Sequence, residues 1–141
     1  MHASFYDFLL DKKQSGEFFI DKADVHHQLA LASFCVMEDG LQFNICGLET
    51  SYVCNSAVGD LEMKIEKNPL HLLYSCGFWA THLHDSTFDT DLAKHVMDIV
   101  TGERILFWME VLGVCKCIGE AYRALISAEG WLQVSILYYT S

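Results

Sequence analysis

The chain is short of proline and of positive charge. It has one proline, Pro69, and nine glycines in 141 residues, so it lacks the composition of a disordered segment or of a flexible linker. Lysine and arginine number 9 against 19 aspartate and glutamate residues, which gives a net charge of −10. A nucleic acid backbone and an anionic membrane surface both attract positive charge. The composition therefore argues against nucleic acid and membrane partners.

Targeting and membrane-spanning segments are lacking as well. The first residues, MHASFYDFLLDKK, place their charges after a short apolar run, which is the reverse of a secretory signal. The longest apolar stretch, residues 105–118, contains Glu110 and Lys116 and is too short for a membrane span. We therefore expect a cytoplasmic protein whose six cysteines are reduced and mostly buried.

Nucleotide-binding motifs do not occur in the chain. No glycine is followed by lysine, so a phosphate-binding loop of the G-x-x-x-x-G-K-[ST] type is excluded. No G-x-G-x-x-G motif is present either, which argues against a dinucleotide site. The sequence predicts no cofactor.

Histidine and cysteine are plentiful, with seven and six residues, but their spacing is poor for a metal. A structural zinc site needs four converging ligands, whereas residues two apart on a helix point in different directions. We therefore predict no metal site, and a small metal-binding or redox protein is the alternative function. A hydrolase using Cys76 with a histidine ranks below it. The candidate ligand pairs are His26 with His27, His82 with His84 and Asp85, and Cys115 with Cys117.

The 52% hydrophobic content is arranged mainly at helical spacing. The pattern predicts a mainly α fold, with a short N-terminal β-hairpin followed by an antiparallel bundle of about six helices. The hairpin, with its turn at Ser15-Gly16, falls in an N-terminal unit, residues 1–22, and the helical domain takes residues 23–141. The predicted helices cover residues 24–38, 58–67, 70–84, 89–101, 103–116 and 120–128, and an apolar segment follows at 131–139.

Several apolar residues are predicted to face the core. Trp79, Trp108 and Trp131 are expected to anchor helices, with Cys76 and Leu83 on the same buried face as Trp79. Glu110 stands among apolar residues, and a hydrogen-bonded carboxylate that holds two helices in register explains it better than a catalytic acid. Helical stripes are predicted at Val25, Leu29, Ala32 and Val36, and at Leu92, Val96 and Ile99.

Four blocks of the chain carry a resemblance to a known family. They are HASFYDFLLD with SGEFFID (residues 2–21), the segment ending LQFNICGLETSYVCN (25–55), LLYSCGFWATHL (72–83) and ILFWMEVLGV (105–114). In this order they resemble the winged-helix end and following helical region of fungal NACHT-type NTPases. These proteins belong to the STAND class of NLR-like receptors.

The resemblance implies a cytosolic receptor region that passes nucleotide-dependent rearrangement to a C-terminal sensor. Its family roles are ligand-triggered oligomerisation and heterokaryon incompatibility. This chain departs from the family because it lacks the nucleotide-binding core. The resemblance places His2 in a stretch linked to phosphate sensing, but this chain has no nucleotide site whose phosphates His2 could contact. Gly113 replaces the usual serine. We therefore expect a truncated paralogue or fragment that acts without catalysis, binding full-length receptors or itself.

Overall fold

The computed structural model describes residues 4–139 of the chain, and these residues form a mainly helical fold. Two short 3-10 turns, Gly16–Phe18 and Asn55–Ala57, supplement the α-helices. The α-helices are α1 (Phe5–Leu10), α2 (Lys12–Ser15), α3 (Lys22–Gly40), α4 (Leu61–Glu66), α5 (Leu70–Asp85), α6 (Thr90–Thr101), α7 (Arg104–Val114) and α8 (Gly119–Tyr139).

The predicted N-terminal β-hairpin is wrong, because no strand is seen in the described part of the chain and residues 5–18 are helical. Ser4 caps α1 in a capping box: its hydroxyl accepts from the Asp7 N–H, and the Asp7 carboxylate accepts from the Ser4 N–H. Asp11 caps α2 because its carboxylate accepts a hydrogen bond from the backbone N–H of Lys13. These side chains satisfy N–H groups that have no partner within a short helix. The capping stabilises helices in a segment whose aromatic residues would also suit strands. His2 lies outside the described residues.

Helices α3 and α5 run antiparallel and form the centre of the molecule. The start of α3 meets the end of α5 where His26 contacts His82, and the end of α3 meets the start of α5 where Gly40 faces Leu72. Helix α5 also packs against α7 and α8, and α6 packs against α3 and α7. A helix with neighbours on several sides must be apolar on more than one face, as the α5 sequence is.

Aromatic rings fill the core between α3, α5 and α7. Trp79 and Trp108 meet edge to face, with ring centroids 5.6 Å apart, and Phe34 lies 5.3 Å from Trp79. Such tilted arrangements are favoured by the quadrupoles of the rings. The α6 stripe of Leu92, Val96 and Ile99 is fully buried at the neighbouring contact with α3.

The apolar stripe predicted for α3 is wrong by about one residue position. Val25 and Leu29 are 41% and 38% exposed, whereas Phe34 and Met37 are fully buried. The buried face consists of Ala30, Ser33, Phe34 and Met37, at i, i+3, i+4 and i+7. Because α3 is apolar on more than one side, the bulk of Phe34 and Met37 against the tryptophans decides which side turns inward.

The last helix is continuous through Gly130, whereas a helix at 120–128 and a separate apolar segment at 131–139 were predicted. Helix α8 continues from Gly119 to Tyr139 through this glycine. A glycine inside a helix costs only about 0.5–1 kcal/mol, and the packing of buried Ala128 and Trp131 on either side exceeds that cost. None of the helices in residues 4–139 combines the length and the apolar character needed to cross a membrane.

Candidate functional site

The tryptophans chosen from the sequence lie in the core, where each indole is anchored by packing. Trp79 and Trp108 are each 1% exposed, and Cys76 and Leu83 are buried beside them. The Trp108 indole N–H donates to the Cys76 carbonyl at 2.9 Å, and the Trp131 indole N–H donates to the Ser86 carbonyl at 3.3 Å. Rings held in this way connect helices, although Trp131 also borders a cleft beside α8.

Glu110 is half-buried and has a specific partner. Its Oε2 accepts a hydrogen bond from the backbone N–H of Asn44 at 3.0 Å. Asn44 has a left-handed backbone (φ 51°) and braces Leu48 through two further hydrogen bonds of 2.9 and 2.8 Å. The carboxylate therefore joins α7 to the loop before α4, and not one helix to another. The cleft that Glu110 lines contains no histidine or cysteine among its described lining residues, so no acid–histidine–cysteine constellation forms there.

The candidate metal ligands do not converge. His82 contacts His26, while His84, two residues on, is exposed elsewhere on α5. Across residues 4–139 no group of three histidine, cysteine, aspartate or glutamate side chains is placed to hold a metal ion. The metal-binding alternative thus receives no geometric support from the described residues.

The cysteines that contact the core are poor nucleophiles. Burial raises the pKa of the Cys76 thiol to about 12, and burial likewise raises the pKa values of Cys46, Cys115 and Cys117. The thiolate is the reactive form in both catalysis and metal binding, so these residues are protonated thiols at neutral pH. Cys35 and Cys54 are exposed free thiols.

A series of polar side chains joins α3 to α5, and of its members only His82 is buried; the residue spacing in the sequence does not predict it. The Tyr74 hydroxyl lies 2.8 Å from His82 Nε2, and His82 Nδ1 lies 3.1 Å from His26 Nδ1. His26 Nε2 in turn lies 3.9 Å from an Asp85 carboxylate oxygen. Burial, with a further contribution from His26, lowers the pKa of His82 below its usual value. We call these four residues the histidine chain.

The outward side of α8 exposes several large apolar side chains. Tyr122 and Leu137 are 73% and 70% exposed, and Ile126 and Val134 are about half exposed. Gly130 lies between them, and the opposite side of the helix buries Ala121, Ala128 and Trp131. We call Tyr122, Ile126, Gly130, Val134 and Leu137 the α8 face. Exposed apolar side chains that line one side of a helix mark a candidate contact surface for another protein.

A cleft of about 550 Å³ extends the α8 face sideways. Ile126, Gly130 and Val134 form one wall, and Phe88 with Trp131 forms its floor, where the two rings lie 4.9 Å apart. The cleft and the α8 face make one apolar surface, because they share three residues. This surface can hold the side chains of an apolar helix laid along α8.

Comparison of the chain with protein-family models, with curated proteins and with solved structures gives no match.

Proposed function

We propose that the chain is a non-catalytic helical interaction module related to the region that follows the NACHT domain of NLR-like receptors. The observation that supports an interaction role is the α8 face with its adjoining cleft. The proposed kinship is supported by the sequence blocks alone. The sequence lacks the nucleotide-binding core of such a receptor, since no phosphate-binding loop is present.

Association along α8 is favourable because large side chains leave water. Burying an aliphatic or aromatic side chain of this size contributes about 1.5–3 kcal/mol relative to leaving it exposed. Tyr122, Ile126 and Val134 are each at least half exposed, so part of this contribution remains available to a partner. Part of this favourable free energy is offset by the entropy lost when side chains become ordered and when two molecules associate. An interface centred on this stripe gains further buried apolar area when the cleft is filled as well.

The expected partner is a cytosolic NACHT-type receptor that presents an apolar helix with basic flanks. The face itself carries no charge, but Glu120, Arg123 and Glu129 border it within a chain of net charge −10. A basic rim on the partner therefore gains from charge complementarity. A second copy of this chain has the same negative charge, which opposes self-association.

The test is co-expression of the tagged chain with a full-length NACHT-type receptor, followed by light scattering of the purified material. Ile126→Glu places a charge at the centre of the α8 face and is expected to abolish co-purification. Met63→Glu is the matched control, because Met63 is also exposed and apolar but lies on α4. The control should keep the receptor bound.

Three outcomes would overturn the proposal. The first is a monomer of 16.0 kDa that retains no receptor. The second is equal binding by the Ile126→Glu and Met63→Glu variants, which would place the contact elsewhere. The third is tightly held ATP or turnover of a small molecule by the purified chain. A complex containing only copies of this chain would replace the receptor as the partner.

A further inference from the structure

The contact between His26 and His82 limits how many protons the two rings can hold. Two nitrogens 3.1 Å apart share one hydrogen, which either ring can donate. With both rings neutral, Tyr74 donates to His82 Nε2, His82 Nδ1–H donates to His26 Nδ1, and His26 Nε2–H faces Asp85. Every polar atom between Tyr74 and His26 then has a partner.

One additional proton can enter without breaking the contact. If His26 becomes cationic, its Nδ1–H donates to His82 Nδ1, and His82 Nε2–H donates to the Tyr74 oxygen. The positive ring then lies beside Asp85, at 3.9 Å. The histidine chain reverses its direction and stays intact.

A second additional proton cannot be accommodated. Both Nδ1 atoms would carry hydrogen at a separation of 3.1 Å, and two cationic rings would lie with centroids 5.3 Å apart. His82 is held in the interior with 7% of its surface exposed, whereas His26 is near the first turn of α3. The ring that moves is therefore His26.

His26 lines a cleft of about 520 Å³ beneath the N-terminal segment, and this cleft offers space for the displaced ring. The opposite wall of this cleft is formed by Tyr6, Leu9 and Leu10 of α1 and by Ile20. The segment is also held by the Lys22 ammonium over the Tyr6 ring, at 4.8 Å. Apart from Lys22 and Asp85 the described lining is largely apolar, so an imidazolium that enters the cleft brings water with it and separates the two walls.

We propose that the His26–His82 contact is an acid-sensitive latch that holds residues 5–20 on the helical bundle and releases them when both rings are protonated. The inference is independent of the proposed receptor contact, which lies on α8. Release exposes the half-buried apolar side chains of Leu9 and Leu10, which line the cleft.

The charged and titratable groups around the latch come from three helices. Helix α5 contributes Tyr74, His82 and Asp85, and α3 contributes Lys22 and His26. Helix α1 contributes Tyr6 and, beside Lys22, Asp7. The Asp85 charge partly offsets the lowering of the His82 pKa, and the Lys22 ammonium gives a second proton no compensation. Since the pKa of His82 is lowered on folding, its contribution to stability is present above about pH 6.5 and is lost as the pH falls through the folded pKa.

Hydrogen exchange measured by mass spectrometry tests the latch. The intact chain is compared at about pH 7.5 and about pH 5, with rates corrected for intrinsic exchange and with a chelator present. Exchange of residues 5–20 should rise at least about tenfold at the lower pH, while α6 stays protected. His82→Gln keeps a neutral amide in place of the ring and should remove the rise. His84→Gln is the matched control, because His84 is exposed two residues further along α5, and it should keep the rise.

The outcomes separate clearly. An unchanged rate for residues 5–20 in the parent chain would overturn the proposal, and so would an equal rise in the His82→Gln variant. If that variant fails to fold, His26→Gln serves in its place, since a single remaining imidazole has no opposing N–H. A rise that appears equally in α6 would show general acid unfolding and would also reject the latch.

Discussion

At the scale of single residues, two tryptophans with the same burial differ in hydrogen bonding. Trp108 and Trp79 are both 1% exposed, but the Trp108 indole donates to the Cys76 carbonyl. The Trp79 Nε1 has no hydrogen-bond partner among the described residues. An unsatisfied buried donor costs about 1–3 kcal/mol, so removing it returns part of that cost.

We therefore expect Trp108→Phe to destabilise the fold more than Trp79→Phe does. Both changes lose ring volume, and the Trp108 change also loses a hydrogen bond, so the difference should be about 1–3 kcal/mol. Urea unfolding followed by circular dichroism measures the two free energies of unfolding on the same scale. Equal losses, or a larger loss at Trp79, would contradict the hydrogen-bond assignment.

Sequence reasoning identified which aromatic residues carry the core but not how the polar residues pair. Trp79 and Trp108 stand in strongly apolar helical segments, so their burial follows from local pattern. His26 and His82 are 56 residues apart, and their meeting depends on the antiparallel register of α3 and α5. From the sequence alone, His27 and His84 are equally plausible partners in a contact between α3 and α5. Only the tertiary register separates these alternatives.

At the scale of secondary structure elements, capping residues were more informative than composition. Residues 3–20 are rich in phenylalanine, which suggested strands, yet Ser4 with Asp7 and Asp11 specify short helices. Helix α5 was predicted within one residue of its end, because Pro69 defines its start. The helix predicted at 120–128 continues through Gly130 to Tyr139, because tertiary packing on both sides of the glycine holds α8 together. Local signals fix where helices begin more reliably than glycines fix where they end.

Two glycines at helices make a matched prediction. Gly113 lies inside α7, and a Cβ built there meets no atom within 4 Å, so Gly113→Ala should stabilise the fold by about 0.5–1 kcal/mol. Gly102 follows α6, and a Cβ there would lie 2.6 Å from the Asp98 carbonyl oxygen. Because a backbone atom cannot move aside cheaply, Gly102→Ala should destabilise the fold. Thermal unfolding of the two variants checks the opposite signs, and a shift in the same direction for both would reject the steric reading.

At the scale of the whole molecule, the sequence predicted a helical bundle but not which apolar side chains stay on its surface. Helices α3, α5 and α8 all have apolar residues on more than one side, and sequence periodicity does not rank the sides. The choice depends on which large rings interlock at the centre. Once Trp79, Trp108 and Phe34 fill the core, Tyr122, Ile126 and Leu137 are left on the outer side of α8.

The net charge of −10 is also a property of the whole molecule, and it predicts the response of stability to salt. Among the described residues, three Lys or Arg side chains are paired with carboxylates, namely Lys64, Lys94 and Arg123. Most of the 19 acidic residues therefore repel one another across the surface. Salt screens this repulsion over a Debye length that falls to about 10 Å at 0.1 M.

Sodium chloride should consequently raise the Tm, by about 2–4 °C for each kcal/mol of repulsion that it screens. Exposed pairs contribute little to stability, so their loss in salt does not offset the gain. The control variant replaces Glu62 and Glu66 with glutamine, which removes two carboxylates on the exposed side of α4. It should have a higher Tm at low salt and a smaller salt response. A Tm that falls as sodium chloride is added would mean that attractive ion pairs, and not the excess of carboxylates, dominate the electrostatics of the fold.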